Sequence, residues 1–221
     1  MNLLIIRPQP GADATAARVR AAGHHAVLMP LFDVRPIEWE LPTAERFDAL
    51  LLTSANAVRH AGDQLKALHG LPAVAVGSAT TRAAKQAGLA VAIMGTLDVT
   101  DVLALAHEAG YRRLLWLAGR DRITVSGPGD LTIFIRDVYR SEALPAPENF
   151  SEAVSRAQAV LLHSPRAATH FAGLCDTKGI DRAQIKIAAL SPGIATGAGE
   201  GWKSVIVAPA PSDNMLLAQL E

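Results

Sequence analysis

The sequence predicts an α/β fold in which two doubly wound parallel-sheet lobes are joined by a two-stranded extended linker, with one lobe discontinuous in sequence. Short apolar runs recur along the chain, and Ala-rich helical stretches follow many of them. The runs are continuously apolar rather than alternating, which is typical of strands that helices cover on both faces. The chain also repeats its own order of segments, which favours two copies of one plan.

Strands are predicted at each apolar run, and helices between them. The first run, Asn2–Ile6, is followed by a helical stretch over Ala12–Ala22, which Gly23 ends. The remaining predicted strands are His25–Phe32, Asp48–Leu52, Ala73–Val76, Val91–Met94, Arg113–Leu117, Thr132–Ile135, Ala159–Leu162, Ile185–Leu190 and Ser204–Val207. Strands that alternate with helices favour a parallel sheet with right-handed crossovers.

The internal repeat predicts the domain organisation. Residues 51–62 resemble 161–173, residues 75–78 resemble 188–191, and residues 98–106 resemble 212–220. The copies are circularly offset, because the second lacks two final strands that the N-terminus can supply. We therefore expect one lobe over residues 1–34 plus 158–221 and another over 46–137. Residues 35–45 and 138–157 are the expected crossings, and both contain prolines.

Composition excludes several classes of function. Lys and Arg number 21 and Asp and Glu number 21, so the chain has no overall attraction for nucleic acid or an acidic membrane. The single cysteine, Cys175, excludes an internal disulfide and a Cys-rich metal site. The N-terminus shows no export signal and no apolar run has the length of a membrane span, so we expect a cytoplasmic protein.

Hydroxyl side chains occur where predicted strands end, at the edge where open parallel sheets bind ligands. These residues are Thr53, Ser54, Ser78, Thr80, Ser164 and Ser191. At each position the hydroxyl can simply cap the following helix. The alternative is that the helix N-termini and the hydroxyls together bind an anion, which their recurrence in both lobes favours.

Competing catalytic motifs are weak. Gly127-Pro128-Gly129 matches neither a dinucleotide nor a phosphate-binding fingerprint, and no histidine pair has metal-ligand spacing. Neither Ser54 nor Ser164 lies in a nucleophile elbow. Arg120 lies in a charged loop that is either solvated or able to meet a substrate carboxylate. Tyr139, beside the second crossing, either packs at the junction or presents a phenol able to donate a proton.

The order and spacing of several segments resemble the uroporphyrinogen-III synthase family over nearly the whole length. The segments are Leu4-Ile5-Ile6-Arg7-Pro8, residues 47–58, Ala75-Val76-Gly77-Ser78-Ala79-Thr80, Val138-Tyr139-Arg140, residues 162–168 and residues 208–217. The resemblance implies cyclisation of hydroxymethylbilane, a linear tetrapyrrole with eight carboxylates, to uroporphyrinogen III. Water is lost and ring D is inverted through a spiro intermediate. No metal or other cofactor is implied, and the expected form is a monomer that could receive its substrate by transient handover from hydroxymethylbilane synthase.

The resemblance also implies roles for individual residues. Tyr139 matches the family tyrosine implicated in departure of the terminal hydroxyl. Substrate binding is expected from positions that line a cleft between the lobes and from Arg7, which matches the Arg of the family's opening strand. Arg120, a candidate from its charged loop rather than from the resemblance, is expected to join them. The cleft positions are the strand-end hydroxyls Thr53, Ser54, Ser78, Thr80, Ser164 and Ser191.

Three departures from the family pattern leave alternatives open. Gly193 and Ile194 replace the usual hydroxyl residues after Ser191, and His163 replaces an apolar or small residue. Residues 123–129 are β-branched and broken by Gly and Pro, so they form a poor helix where the family has one. A two-lobed binding protein without catalysis and a catalytically impaired or structural relic of the synthase fold are the alternative hypotheses.

Overall fold

The chain divides into two units in the computed structural model, which describes residues 1–42, 47–95, 98–122 and 124–220. The first unit comprises Met1–Asp33 and Glu142–Glu221, and the second comprises Val34–Ser141. The boundary predicted at residues 45 and 46 lies outside the described residues. The predicted domain limits therefore remain predictions.

The first unit contains a five-stranded sheet in the order β11-β10-β9-β1-β2. Its strands are β1 (Asn2–Ile5), β2 (His25–Leu28), β9 (Ala159–Leu162), β10 (Lys186–Ala189) and β11 (Ser204–Val207). Every neighbouring pair is parallel. The strand order reverses between β1 and β9. After β1 the chain adds β2 on one side, and after β9 it adds β10 and β11 on the other.

Helices connect these strands on both faces of the sheet. They are α1 (Gly11–Ala21), α5 (Phe150–Arg156), α6 (Pro165–Thr177), α7 (Pro192–Ala198) and α8 (Asp213–Leu217), with a 3-10 turn at Arg182–Gln184. Leu4 belongs to one buried core, while Leu3 and Ile5 belong to another. Successive residues of a strand point to opposite faces, so the continuous apolar run has an apolar layer on each side.

The second unit contains a six-stranded sheet in the order β3-β8-β7-β4-β5-β6. Its strands are β3 (Phe32–Pro36), β4 (Ala49–Leu52), β5 (Ala73–Val76), β6 (Val91–Gly95), β7 (Arg113–Gly119) and β8 (Thr132–Ala143). The β8-β7-β4-β5-β6 part is parallel throughout. Its order reverses between β4 and β7.

The helices of the second unit are α2 (Ala55–His60), α3 (Ser78–Gln86) and α4 (Val99–Glu108), with a 3-10 helix at Asp63–Leu68. Leu50 and Leu52 join one core, and Ala49 and Leu51 join the core on the opposite face. The predicted α/β class with two parallel sheets is confirmed. Within the described ranges, no helix has both the length and the hydropathy needed to cross a membrane.

The single strand predicted over residues 25–32 is wrong. Residues 25–28 form β2 of the first sheet, whereas Phe32 begins β3 of the second. Pro30 lies between them and cannot donate a backbone hydrogen bond, which favours a break in the ladder. Met29 and Leu31 instead donate to the carbonyls of Ile5 and Ile6 at 2.9 and 3.0 Å.

Residues 138–157, one of the two expected crossings, include the end of a strand and a helix. Strand β8 begins where predicted, at Thr132, but it runs on to Ala143 and so carries Tyr139 within a sheet. Helix α5 follows, with Phe150 and Val154 buried four residues apart on one face. Between β7 and β8, residues 124–131 contain no helix, in line with the poor helix-forming sequence of residues 123–129. Ile123, the first residue of that segment, lies outside the described residues.

Candidate functional site

Predicted site residues of the second unit lie at the carboxyl edge of one sheet. Strands β8, β7, β4 and β5 are neighbours. Tyr139 pairs with Gly119 at the end of the β7–β8 ladder, Arg120 follows β7, Thr53 and Ser54 follow β4, and Ser78 comes two residues after β5. Trp116 of β7 donates from Nε1 to Thr53 Oγ1 at 3.2 Å, which joins the two strands at the point where the sheet order reverses. Open parallel sheets bind ligands at this point.

Tyr139 packs its ring directly on Gly119. A methyl group at Gly119 would lie 2.6 Å from Cζ and 2.8 Å from the hydroxyl oxygen of Tyr139, so glycine is required there for space. The His60 ring lies 6.2 Å from the Tyr139 ring, centroid to centroid. The phenol is half-buried and makes no hydrogen bond to any residue of the described ranges. Its proton is therefore available to a bound molecule.

Two arginines, Arg120 and Arg122, follow β7 at the same edge. Arg122 donates from Nη1 to the Gly119 carbonyl at 2.8 Å and also to the Asp137 carboxylate. Arg120 is 54% exposed, and its Nε lies 3.9 Å from Asp137 Oδ2, at the limit of an ion pair. Because Arg122 binds Asp137 more closely, Arg120 remains the cation more accessible to a ligand. Arg122 was not among the sequence-predicted site residues.

The hydroxyls of the second unit have different surroundings. Ser54 caps α2, accepting from the Asn56 amide at 3.2 Å. Ser78 is the first residue of α3 rather than its cap, because Gly77 takes the cap position with φ of 79°. Thr80 is buried at 4% exposure. We therefore carry Thr53, Ser54 and Ser78 into the proposed site and leave Thr80 out.

Predicted site residues of the first unit lie at the corresponding edge of its sheet. Arg7 follows β1, Ser164 follows β9 and Ser191 follows β10, and these three strands are adjacent. Ser164 Oγ accepts from the Ala167 amide at 3.2 Å and so caps α6. Ser191 occupies the cap position of α7 but makes no side-chain capping bond. Arg7 and Ser164 flank the point where the strand order reverses.

A buried polar network beside Arg7 was not predicted from the sequence. The Asp213 carboxylate accepts from Thr15 Oγ1 at 2.8 Å and from Arg18 Nη1 at 2.9 Å, and it lies 2.9 Å from His163 Nε2. Thr15 is fully buried, and the His163 and Asp213 side chains are 4% and 6% exposed. Thr15 and Asp213 are 198 residues apart, so no local motif could reveal their contact. The unusual His163 was the only sequence signal.

Arg7 is attached to this network without joining an ion pair. Its Nη1 donates to Thr15 Oγ1 at 3.2 Å. The guanidinium lies against Gly11 at the start of α1, where a methyl group would come within 2.6 Å of Nε. Burial lowers the pKa of Arg7, Asp213 acts to raise it, and Arg18 acts to lower it. Among the described residues, no carboxylate lies within ion-pair distance of Arg7, so its charge can serve a ligand.

The network has unusual protonation properties. Burial lowers the pKa of His163 below its ordinary value, although the hydrogen bond to Asp213 acts to raise it. Burial acts to raise the pKa of Asp213, but its contacts with His163 and Thr15 and the charge of Arg7 outweigh that effect and lower it. Near neutral pH we therefore expect an ionised Asp213 and a neutral His163 whose Nε2 carries the proton facing the carboxylate.

We expect the folding stability to fall as the pH drops below about 6.5, the ordinary His value. The unfolded chain then protonates residue 163 before the folded chain does, and each pH unit in that window contributes up to about 1.4 kcal/mol. The charged and titratable groups around His163 are Asp213 on α8, Arg18 on α1 and Arg7 after β1. Urea denaturation between pH 7.5 and 5 measures the effect.

His163→Gln is the matched variant for this pH experiment, since a glutamine amide can donate to Asp213 but does not titrate. Its unfolding free energy should depend less steeply on pH than that of the wild type over the same range. Equal slopes for both proteins would contradict the neutral, buried state of His163.

Two grooves among the described residues lie apart from the strand ends that carry the predicted site residues. One shallow groove lies beside Asn2 and His25 at the amino ends of β1 and β2, and another lies beside Glu38–Pro42 and Arg136. Neither contains a predicted site residue. Within residues 1–42, 47–95, 98–122 and 124–220, no group of three or more His, Cys, Asp or Glu side chains could hold a metal ion.

Comparisons with known proteins agree with the resemblance in the sequence. Residues 13–218 match the family model for uroporphyrinogen-III synthase HemD. A solved uroporphyrinogen-III synthetase from Helicobacter pylori 26695 is 15% identical with a TM-score of 0.66, covering 99% of this chain and 97% of its own. A mutant uroporphyrinogen III synthase from the extremely thermophilic bacterium Thermus thermophilus is 18% identical with a TM-score of 0.54, covering 100% of both chains. No curated protein matches.

Proposed function

The chain belongs to the uroporphyrinogen-III synthase family, the cyclising lyases of heme biosynthesis, and from this premise we propose how its residues carry the reaction. The enzyme closes hydroxymethylbilane to uroporphyrinogen III with loss of water and inversion of ring D. The match of the family model over residues 13–218 is the observation that carries this function.

The proposed substrate contacts follow from the eight carboxylates of hydroxymethylbilane. Arg7 in the first unit and Arg120 in the second supply charge that their own neighbours neutralise only in part. Ser164 lies at the N-terminus of the thirteen-residue helix α6, where backbone N–H groups and the helix dipole favour an anion. Thr53, Ser54, Ser78 and Ser191 complete the proposed polar lining. A neutral protein can hold a polyanion through such local donors.

Tyr139 is the proposed general acid. Its hydroxyl has no hydrogen-bond partner among the described residues, and the ring packs on Gly119 with the His60 ring 6.2 Å away, centroid to centroid. A phenol placed beside the terminal hydroxymethyl group can donate its proton to the departing oxygen. The C–O bond then breaks with its electron pair moving to oxygen, and water leaves.

The later steps close the macrocycle and return the donated proton to Tyr139. The methylene carbon left behind is electrophilic, and the substituted carbon of ring D attacks it to give a spiro intermediate. The bond between the substituted α-carbon of ring D and its original methylene bridge then breaks, and that bridge carbon bonds to the other α-carbon, which inverts ring D. A final proton leaves the closing carbon and restores the Tyr139 phenol, so that one water is lost overall.

The proposal extends to the setting of the reaction. These steps draw on acid catalysis, positioning and anion binding, and we propose that they require no added cofactor. We propose that the enzyme works in the cytoplasm as a monomer that needs neither nucleic acid nor a membrane. Transient handover of the substrate from hydroxymethylbilane synthase is consistent with this setting.

The isomer composition of the product tests the proposed function. Purified protein and hydroxymethylbilane should yield the III isomer after oxidation and chromatographic separation, whereas an enzyme-free reaction closes spontaneously to the I isomer. The expected result is a III:I ratio that rises with enzyme concentration. The I isomer alone, at every enzyme concentration, would contradict the function.

A further inference from the structure

The buried network of the first unit places a single hydroxyl between Arg7 and Asp213. Arg7 Nη1 donates to Thr15 Oγ1 at 3.2 Å, and Thr15 Oγ1 donates to Asp213 Oδ2 at 2.8 Å. A threonine hydroxyl has one proton and two lone pairs. Because the proton is committed to Asp213, the lone pairs of Thr15 are available to accept from Arg7. The orientation of this hydroxyl thus depends on Asp213.

The Asp213 carboxylate is itself held from several sides. Thr15 and Arg18 of α1 donate to Oδ2, and His163, which follows β9, contacts Oδ1. With these contacts the carboxylate cannot rotate without losing a hydrogen bond. Arg18 forms the direct ion pair with Asp213 at 2.9 Å and offsets its charge. Arg7 therefore keeps its own positive charge although a carboxylate lies in the same network.

Arg7 is held in position while most of its N–H groups stay free of hydrogen bonds to the described residues. Apart from the Nη1 bond to Thr15, its N–H groups make no hydrogen bond within the described ranges. The guanidinium rests on Gly11, beyond the carboxyl end of β1, where the strand order reverses between β1 and β9. A planar guanidinium that keeps free N–H groups can receive a carboxylate through two parallel hydrogen bonds.

We infer that Thr15 and Asp213 are positioning residues for Arg7: the carboxylate orients the Thr15 hydroxyl, and the hydroxyl holds the guanidinium ready for a substrate carboxylate. This inference rests on the proposed function, because it deepens the role of Arg7 in substrate binding. It differs from a purely structural role, since the network then determines substrate affinity as well as stability.

Thr15→Val is the most direct test, because it removes the hydroxyl and keeps the branched shape. The KM for hydroxymethylbilane should rise about tenfold while kcat stays within about twofold, since the placement of a carboxylate remote from the reacting atoms is lost equally in the ground state and the transition state. Thr15→Ser restores the hydroxyl and should return KM to the wild-type value. Thr177→Val is the matched control: its hydroxyl donates to the Gly173 carbonyl at 2.8 Å on the exposed side of α6.

Combination with Arg7→Ala separates positioning from structural support. Arg7→Ala alone should raise KM by tenfold or more, and adding Thr15→Val should raise it no further, because the group being positioned is gone. Should Thr15→Val fail to fold, Asp213→Asn gives an independent test. An amide in place of the carboxylate no longer fixes the direction of the Thr15 hydroxyl, and KM should rise there too.

The outcomes distinguish this inference from the proposed function. A wild type that forms the III isomer, with a KM that Arg7→Ala raises but neither Thr15→Val nor Asp213→Asn changes, would overturn the inference alone. If the wild type forms no III isomer, the proposed function fails. Dissociation constants for uroporphyrin III, an octacarboxylate, then decide the inference: Thr15→Val must weaken binding about tenfold, and equal affinities overturn it.

Discussion

Tyr139→Phe is expected to lower kcat about 100-fold while leaving KM within about threefold. The substitution removes only the hydroxyl, and that hydroxyl makes no hydrogen bond to the described residues, so packing on Gly119 is preserved. What is lost is the proton that assists departure of the terminal hydroxyl. Initial rates of hydroxymethylbilane consumption, corrected for spontaneous closure, give both constants.

Tyr111→Phe is the matched control, because Tyr111 is the other tyrosine of the chain. It lies two residues before β7, at the amino end of the strand, whereas Tyr139 packs at the carboxyl end. Its hydroxyl also makes no hydrogen bond within the described ranges. The control should keep the wild-type kcat. A Tyr139→Phe enzyme with the same kcat as this control would remove Tyr139 from the mechanism.

Asp213→Ala is expected to lower the free energy of unfolding by about 3–5 kcal/mol. The change deletes the acceptor of three side chains, and it leaves Thr15 and His163 buried without that partner. It also leaves the Arg18 guanidinium without its carboxylate. Unpaired buried polar groups cost their full desolvation energy. Urea denaturation at pH 7.5, followed by circular dichroism, measures the loss.

Two variants make the stability experiment specific. Asp63→Ala removes a carboxylate whose partner Lys66 is also exposed, and we expect no measurable change in the urea midpoint. Asp213→Asn keeps the shape and an oxygen acceptor and should lose less stability than Asp213→Ala. A midpoint for Asp213→Ala equal to that of Asp63→Ala would show that the buried carboxylate contributes no net stability.

Much of the fold could be predicted because its signals are local. Leu50–Leu52 and Ala159–Leu162 are apolar without interruption, and a strand covered on both faces produces that pattern. The errors occurred at short segments whose residue pattern fits more than one structure. Residues 25–32 look like one strand, yet the two halves join different sheets on either side of Pro30. Helix α5 was missed because only Phe150 and Val154 of its seven residues are buried.

The candidate site was predictable only in part. The general rule on strand ends gave Ser54, Ser164 and Arg120 as candidates, and the family resemblance added Arg7. Tyr139 was indicated both by its place beside the expected crossing and by the resemblance. The rule could not tell a hydroxyl exposed at the edge from one inside the protein, and Thr80 is of the second kind. It also could not find Arg122 or Gly119, whose contacts with Asp137 and Tyr139 depend on the register of β7 against β8.

The sequence by itself determined the family, the alternation of strands and helices and the repeated plan of the chain. Those properties lie in apolar periodicity, turn residues and the order of short segments, all of which can be read locally. Only the tertiary structure decided which polar groups meet. Thr15, His163 and Asp213 come from distant parts of the chain, and their hydrogen bonds form because packing brings them within about 3 Å. The same packing leaves Arg7 charged and without a carboxylate partner among the described residues.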